Sequence, residues 1–231
     1  MIELGVEIRT SCPTSEIKKS AESFTIQMGE HSESFDRVIV TTPNNVAKRI
    51  CPDLSKDELQ RLDSTEYLGI CCASLLLKKP ISPYYVTNIT DTWVLMTAVI
   101  ELTNIVDTEE TGGRSLVYLP KYVPASHEMF ERTDEEIQEE FLSALEKMYP
   151  DFSRDDVEAF RISRTKSVMA IPKLNYSKSL PPMKSSVPGM FLVNSAYILK
   201  GNLNVNETIT IAESAIDTVL AEELAIANQT N

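Results

Sequence analysis

The sequence predicts a mixed α/β (α+β) fold, with strand-forming segments towards both ends and a helix-bearing unit between them. Three observations carry this expectation. The consecutive β-branched run Val38-Ile39-Val40 has the character of a strand buried on both faces of a parallel or mixed sheet. Two capping boxes, Ser55-Lys56-Asp57-Glu58 and Thr133-Asp134-Glu135-Glu136, announce helices in the middle of the chain. The last part reads as a strand, a polar loop and a helix.

Taken in order, Gly5 to Thr10 alternates and reads as a strand, with Val6 and Ile8 on one face. Ser23 to Met28 alternates again, Gly29 to Glu33 reads as a turn, and the apolar run Phe35 to Val40 follows. Pro43 closes that run, and Asn44 to Ile50 reads as a short helix. The first capping box starts a helix ending near Leu62. Leu68 to Leu77, Tyr84 to Thr90 and Trp93 to Leu102 are rich in β-branched and aromatic residues and read as strands. Thr111 to Arg114 is a turn, from which Ser115 to Leu119 returns. Behind the second capping box, Ile137, Phe141, Ala144, Leu145 and Met148 share one helical face, and Tyr149-Pro150 stops the helix. Val157 to Ile171 is a long strand, and Pro172, Pro181, Pro182 and Pro188 mark an irregular crossing. Met190 to Val193 is the final strand. The helix after it is capped by Asn206, carries a stripe of Ile209, Ala212, Ile216 and Val219, and frays beyond Glu223.

Composition narrows the function classes. The 231 residues are 42% apolar, enough for a core that hides roughly 70% of the unfolded surface. A net charge of −12 opposes nucleic-acid binding and docking on anionic membranes, both of which need a basic face. Cys12, Cys51, Cys71 and Cys72 form no CxxC pattern, and His31 and His127 lie in polar stretches, so no metal site is expected. The opening residues read as a strand and not as a secretory leader. No apolar run reaches the ~20 residues of a membrane span, so a cytoplasmic protein with reduced thiols is expected.

Few motifs carry chemistry. Gly112-Gly113 lacks the further glycine of GxGxxG and the GK[ST] of a phosphate loop, and reads as a plain turn. No GxSxG is present, and two histidines in polar surroundings do not suggest a nucleophilic site. Asp155-Asp156 and Glu109-Glu110 read as solvated turns, and Tyr84 and Trp93 as core before cavity lining. The last strand-loop-helix is the one place where physics alone suggests a ligand. The exposed amides and partial positive charge of a helix N-terminus suit an anion or an electron-rich ring edge.

Three blocks in order go further. Gly5-Val6-Glu7-Ile8 with Pro13-Thr14-Ser15-Glu16-Ile17 resembles the strand and turn that follow a long helix in amine-oxidase-like flavoproteins. Phe35 to Pro43 resembles that family's hydrophobic strand followed by A-T-P. Pro188 to Ser195, with the last helix, is similar to its closing G-L-F-L-A-G-D segment. Between them, Val99 to Asn104, Leu116 to Pro120 and Met148 to Pro150 look most like the protoporphyrinogen-oxidase-like and phytoene-desaturase-like branch.

The resemblance implies a partial FAD-binding domain in two segments, 1–45 and 176–231, with a substrate-binding domain at 46–175. It implies hydride transfer from a small-molecule substrate to FAD. Thr14 stands where a backbone contacts the adenine. Thr41, Thr42 and Pro43 stand beside the dinucleotide, Asn194 and Ser195 at the ribityl and phosphate, and Val205 and Asn206 at the flavin pyrimidine edge. The sequence departs from the family pattern in three ways. It has no strand-GxGxxG-helix, it has Asn194-Ser195 in place of Gly-Asp, and Cys72 best matches the lysine that supports flavin reoxidation in amine oxidases. An enzyme completed by an N-terminal partner chain, a non-catalytic small-molecule-binding module and a homo-oligomerising module all remain open at this stage. The substrate is unknown.

Overall fold

The computed structural model describes residues 2–229. They divide into a terminal unit, 2–66 with 169–229, and a central unit, 67–168. The boundaries differ from those implied by the resemblance (45 and 175) for a packing reason. The helices α1 (Asn44–Ile50) and α2 (Lys56–Asp63) bury Ala47, Ile50 and Leu62 in the core of the terminal unit.

The terminal unit begins with an antiparallel meander of β1 (Thr14–Ser20), β2 (Ser23–Met28) and β3 (His31–Phe35). The first strand therefore lies later than Gly5 to Thr10 suggested. That stretch has no partner strand among the described residues, and Val6 and Ile8 are exposed. The turn at Gly29 is shorter than expected, so pairing resumes at His31. Fully buried Phe24 anchors the meander.

Two further strands, β4 (Val38–Val40) and β10 (Met190–Leu192), form a parallel pair in which Val38, Ile39 and Val40 face Met190, Phe191 and Leu192. Such a pair needs a long crossover, here the whole stretch between the strands. β10 is buried on both faces. Met190 and Leu192 enter the main core, while Phe191 and Val193 pack under α5 (Val205–Gln229). β4 does not meet the expectation of burial on both faces. Val38 and Val40 are buried, but Ile39 is 42% exposed, because α5 covers its neighbour Phe191 and not Ile39 itself.

The helix α5 also corrects its predicted stripe. Ile211, Ala215 and Val219 face the core, whereas Ile209 and Ile216 are exposed. Its cap is Asn204, whose Oδ1 accepts from Glu207 N at 2.9 Å, so Asn206 falls in the first turn. The helix continues past Glu223 to Gln229. A short helix, α4 (Tyr176–Ser179), interrupts the crossing that the prolines marked.

The central unit is a five-stranded sheet backed by α3 (Asp134–Met148). Its strands are β5 (Tyr67–Leu77), β6 (Val86–Asn88), β7 (Ala98–Glu101), β8 (Ser115–Pro124) and β9 (Val157–Ala170), in the order β6-β7-β8-β5-β9. β6 and β7 are shorter than predicted, and Tyr84 and Trp93 fall outside them and are exposed. Cys71, Ala73, Leu75 and Leu77 of β5 are fully buried towards Ile137, Phe141 and Leu145 of α3. Gly69 is required by close packing, since a Cβ there would lie 2.5 Å from the Phe130 ring and 2.7 Å from the Thr165 carbonyl. Gly112 takes the left-handed conformation that ends a 3-10 turn at Thr108–Thr111, which accounts for the Gly-Gly pair without a ligand.

Candidate functional site

The strand chemistry of the terminal unit sets its site. In a parallel pair both chains leave the sheet on the same side, so two loops converge beyond the carboxyl ends. Ligands of open α/β sheets are bound in that crevice. Here the exits are Thr41-Thr42-Pro43 after β4 and Asn194-Ser195 after β10, held together by Val193 N donating to the Val40 carbonyl at 3.0 Å. A cavity of about 380 Å³ opens between them. Thr41, Asn194 and Ser195 line it with Thr208, Ile211 and Ala212 of α5, and Val193, Ile198 and Leu203 complete the wall. A smaller cavity of about 100 Å³ shares Ser195, Ile198 and Leu203 and reaches Met169, Pro172 and Tyr176.

The eight residues singled out from the sequence separate on this geometry. Thr41, Asn194 and Ser195 come together at the cavity. Thr42 and Pro43 lie in the same strand-end loop, with Pro43 opening α1. The Thr42 carbonyl accepts from Asn194 Nδ2 at 2.9 Å. Its hydroxyl oxygen is buried and has no hydrogen-bond partner among the described residues. Thr14 starts β1 opposite Met28, half-buried, and does not line the cavity. Val205 and Asn206 sit in the exposed first turn of α5, and Val205 is 74% exposed. The cavity is met instead by the following residues Thr208, Ile211 and Ala212.

Sequence reasoning missed Asn44, which is fully buried behind the loops. Its Oδ1 accepts from Asn194 Nδ2 at 2.8 Å, and its Nδ2 donates to Thr65 Oγ1 at 2.9 Å. A polar residue directly after the strand-end proline was the available signal.

The lining chemistry decides what fits. Thr41 and Ser195 offer hydroxyls, whereas the Thr208 hydroxyl donates to the Asn204 carbonyl at 2.8 Å. The rest of the wall is mostly apolar, and no charged side chain lines the cavity. Such a set suits an uncharged, hydrogen-bonding group such as a flavin ring or its ribityl chain. It does not supply the cations or glycine-rich loop that a pyrophosphate needs.

On the central sheet, Cys72 lies on the face turned away from α3, paired with Pro120. Burial pushes its thiol up to about 11, with adjacent Cys71 adding to the shift. It is therefore a neutral thiol near pH 7 and not an acid–base equivalent of a lysine. Cys12, Cys51, Cys71 and Cys72 are all free. Among the described residues no group of His, Cys, Asp and Glu has the makings of a metal site, and no helix is long and apolar enough to cross a membrane.

Comparison with solved structures agrees with this architecture. A protein assigned as a protoporphyrinogen oxidase from Exiguobacterium sp. 255-15 superposes with a TM-score of 0.70 at 16% identity, over 91% of this chain and 48% of that one. An oxidoreductase from Methanosarcina mazei gives 0.65 at 16% identity, over 88% and 48%. A putrescine oxidase triple mutant from a redesign of cofactor binding gives 0.66 at 17%, over 91% and 48%. At these identities the likeness establishes the fold, and the chain spans about half the length of each of these proteins. No curated protein matches the chain. The sequence model of flavin containing amine oxidoreductases, however, matches residues 1–201, and the chain belongs to that family.

Proposed function

We propose that this chain supplies one part of a flavin-dependent oxidoreductase, and that the crevice beyond β4 and β10 receives the flavin end of FAD. The observation that carries the reading is the cavity where Thr41 and Ser195 meet between two parallel strand ends. When bound there, a flavin supplies the acceptor for a hydride from a substrate carbon. The chain's own residues bind and orient. The Thr41 and Ser195 hydroxyls offer hydrogen bonds to the polar edge of a ring or to its ribityl chain. Val193, Ile198, Leu203 and Ile211 keep water from its apolar face. In this reading the central unit binds the substrate. Its face opposite α3 carries half-buried Ile70, Ser74, Leu76, Ile100, Leu116 and Tyr118 in cross-strand register, a surface suited to an apolar substrate body.

The pyrophosphate would be held by a second polypeptide segment carrying a strand-GxGxxG-helix. Two features favour its place beside β4. Ile39 is exposed at the end of the two-stranded sheet, and α5 turns a second apolar face, Ile209, Ile216 and Leu220, to solvent. Parallel sheets normally have both faces covered, so both features suit a further strand on that edge.

The test is an absorbance spectrum from 300 to 550 nm after incubation with FAD and desalting, for the chain alone and co-expressed with a strand-GxGxxG-helix polypeptide. A flavin band is expected with the second segment present, and its loss in Ser195→Leu is expected to follow. Absence of the band in both preparations would overturn the reading.

A further inference from the structure

We infer that Asn44 is a positioning residue for the flavin cavity, clamping the two strand-end loops at a fixed spacing through Asn194. The inference rests on the proposed flavin site and adds a division of labour within it. A fully buried carboxamide is costly unless its donors and acceptor are used, and Asn44 is 0% exposed. It uses Oδ1 for Asn194 and Nδ2 for Thr65. Asn194 is committed in the same way. One Nδ2 hydrogen goes to Asn44, the other to the Thr42 carbonyl at 2.9 Å, and Oδ1 accepts from Ala196 N at 2.9 Å.

Both amide hydrogens and the carbonyl of Asn194 are thus engaged inside the protein, although the residue borders the cavity. The side chains of Thr41 and Ser195 show the opposite pattern. Neither makes a hydrogen bond within the protein among the described residues, and both line the cavity. Asn194 therefore sets geometry, and Thr41 and Ser195 are the groups free to meet a ligand. Asn44 carries this geometry into the body of the unit. It joins the β10 exit to the β4 exit and, through Thr65, to the segment after α2. Loss of Asn44 would take from Asn194 the acceptor of one of its amide hydrogens, and loss of Asn194 would remove the ties to both Asn44 and the Thr42 carbonyl.

Hydrogen exchange on the full chain tests the clamp without flavin, using Asn44→Ala, Asn194→Ala and the double variant. Peptides covering 41–46 and 190–198 are expected to lose about tenfold protection in each single variant, with β5 and β8 unchanged. The double variant is expected to lose little more than either single, as coupled partners do. Unchanged protection at both loops, additive losses, or loss throughout the terminal unit would each overturn the clamp. FAD titration of the same proteins, with the completing segment present, is expected to show about tenfold weaker binding in Asn44→Ala. Looser loops with unaltered FAD affinity would overturn the positioning role. Failure of the wild-type chain to bind FAD would instead sink the flavin reading, and exchange would still decide the clamp.

Discussion

The five-stranded sheet of the central unit and the parallel pair of the terminal unit are finished to different degrees. In the central unit, long β5 is flanked by β8 and β9, and one face is sealed by α3 through Phe141 and Leu145. In the terminal unit, β10 has β4 on one edge and a bridge from Lys184 on the other, with both faces buried, while β4 ends the sheet with Ile39 exposed. Phe191 and Ile39 face each other in register, yet Phe191 is 1% exposed and Ile39 42%. A closed sheet face serves stability. A parallel pair with an open edge and a cavity at its carboxyl ends can serve binding, because its surface is not consumed by its own fold.

That contrast can be broken or sharpened by substitution. The largest effect is expected for Phe141→Ala, a cavity in the central core costing about 3–5 kcal/mol, read by chemical denaturation. Phe191→Ala should cost about as much in the terminal unit. Ile39→Lys, on the same face of the same sheet, should stay within about 0.5 kcal/mol while abolishing flavin retention with the completing segment. A large loss of stability in Ile39→Lys would show that β4 is already covered.

The next effect concerns the two capping boxes, which look equivalent in sequence. Glu136 is exposed and caps α3 only. Glu58 is buried, and besides Ser55 N at 3.0 Å it accepts from Ser186 N at 2.6 Å and from the Ser186 hydroxyl. Glu58→Ala is therefore expected to cost about 2 kcal/mol, since it removes the shared acceptor of the Ser55 and Ser186 donors, and Glu136→Ala about 1 kcal/mol. Equal costs would mean that the tie to Ser186 adds nothing.

The smallest effect is a matter of pH. Burial acts to raise the Glu58 carboxyl, but the hydrogen bonds from Ser186 and Ser55 outweigh it and hold the group below its ordinary 4.5. Exposed Glu139 is brought to about 2, mainly by its hydrogen bond from Arg154. Both folded values lie below the unfolded ones, so the stability these groups contribute is present above pH 4.5 and is lost as pH falls towards 2. Denaturation curves between pH 6 and 2 should show the gap between wild type and Glu58→Ala narrowing over that window. A constant gap would contradict the assignment.

Much of this was legible in the chain because its signals are local. Asn44–Ile50 and α3 lie where Pro43 and the second capping box placed them, and Leu68 to Leu77 is a strand within one residue. The strand-end loops were also legible, since an apolar run followed by Thr-Thr-Pro or Asn-Ser is a local pattern. Other assignments failed where no local rule applies. Gly5 to Thr10 alternates as a strand does, but alternation forms a strand only when a partner is present. The stripe of α5 was read one flank away from its buried face, because that helix has apolar residues on two flanks and only Phe191 and Val193 choose between them.

The sequence by itself therefore determined the order and type of most elements, the family and the two loops that border the cavity. Propensity, capping and hydrophobic period act within a few residues, and those suffice. Only the tertiary structure decided that Ile39 is open while Phe191 is covered, that Glu58 is tied to Ser186 across 128 residues, and that Asn194 reaches Thr42 across 152. Contacts at such separations exist only once the chain has folded back on itself, so no local pattern encodes which residue they will use.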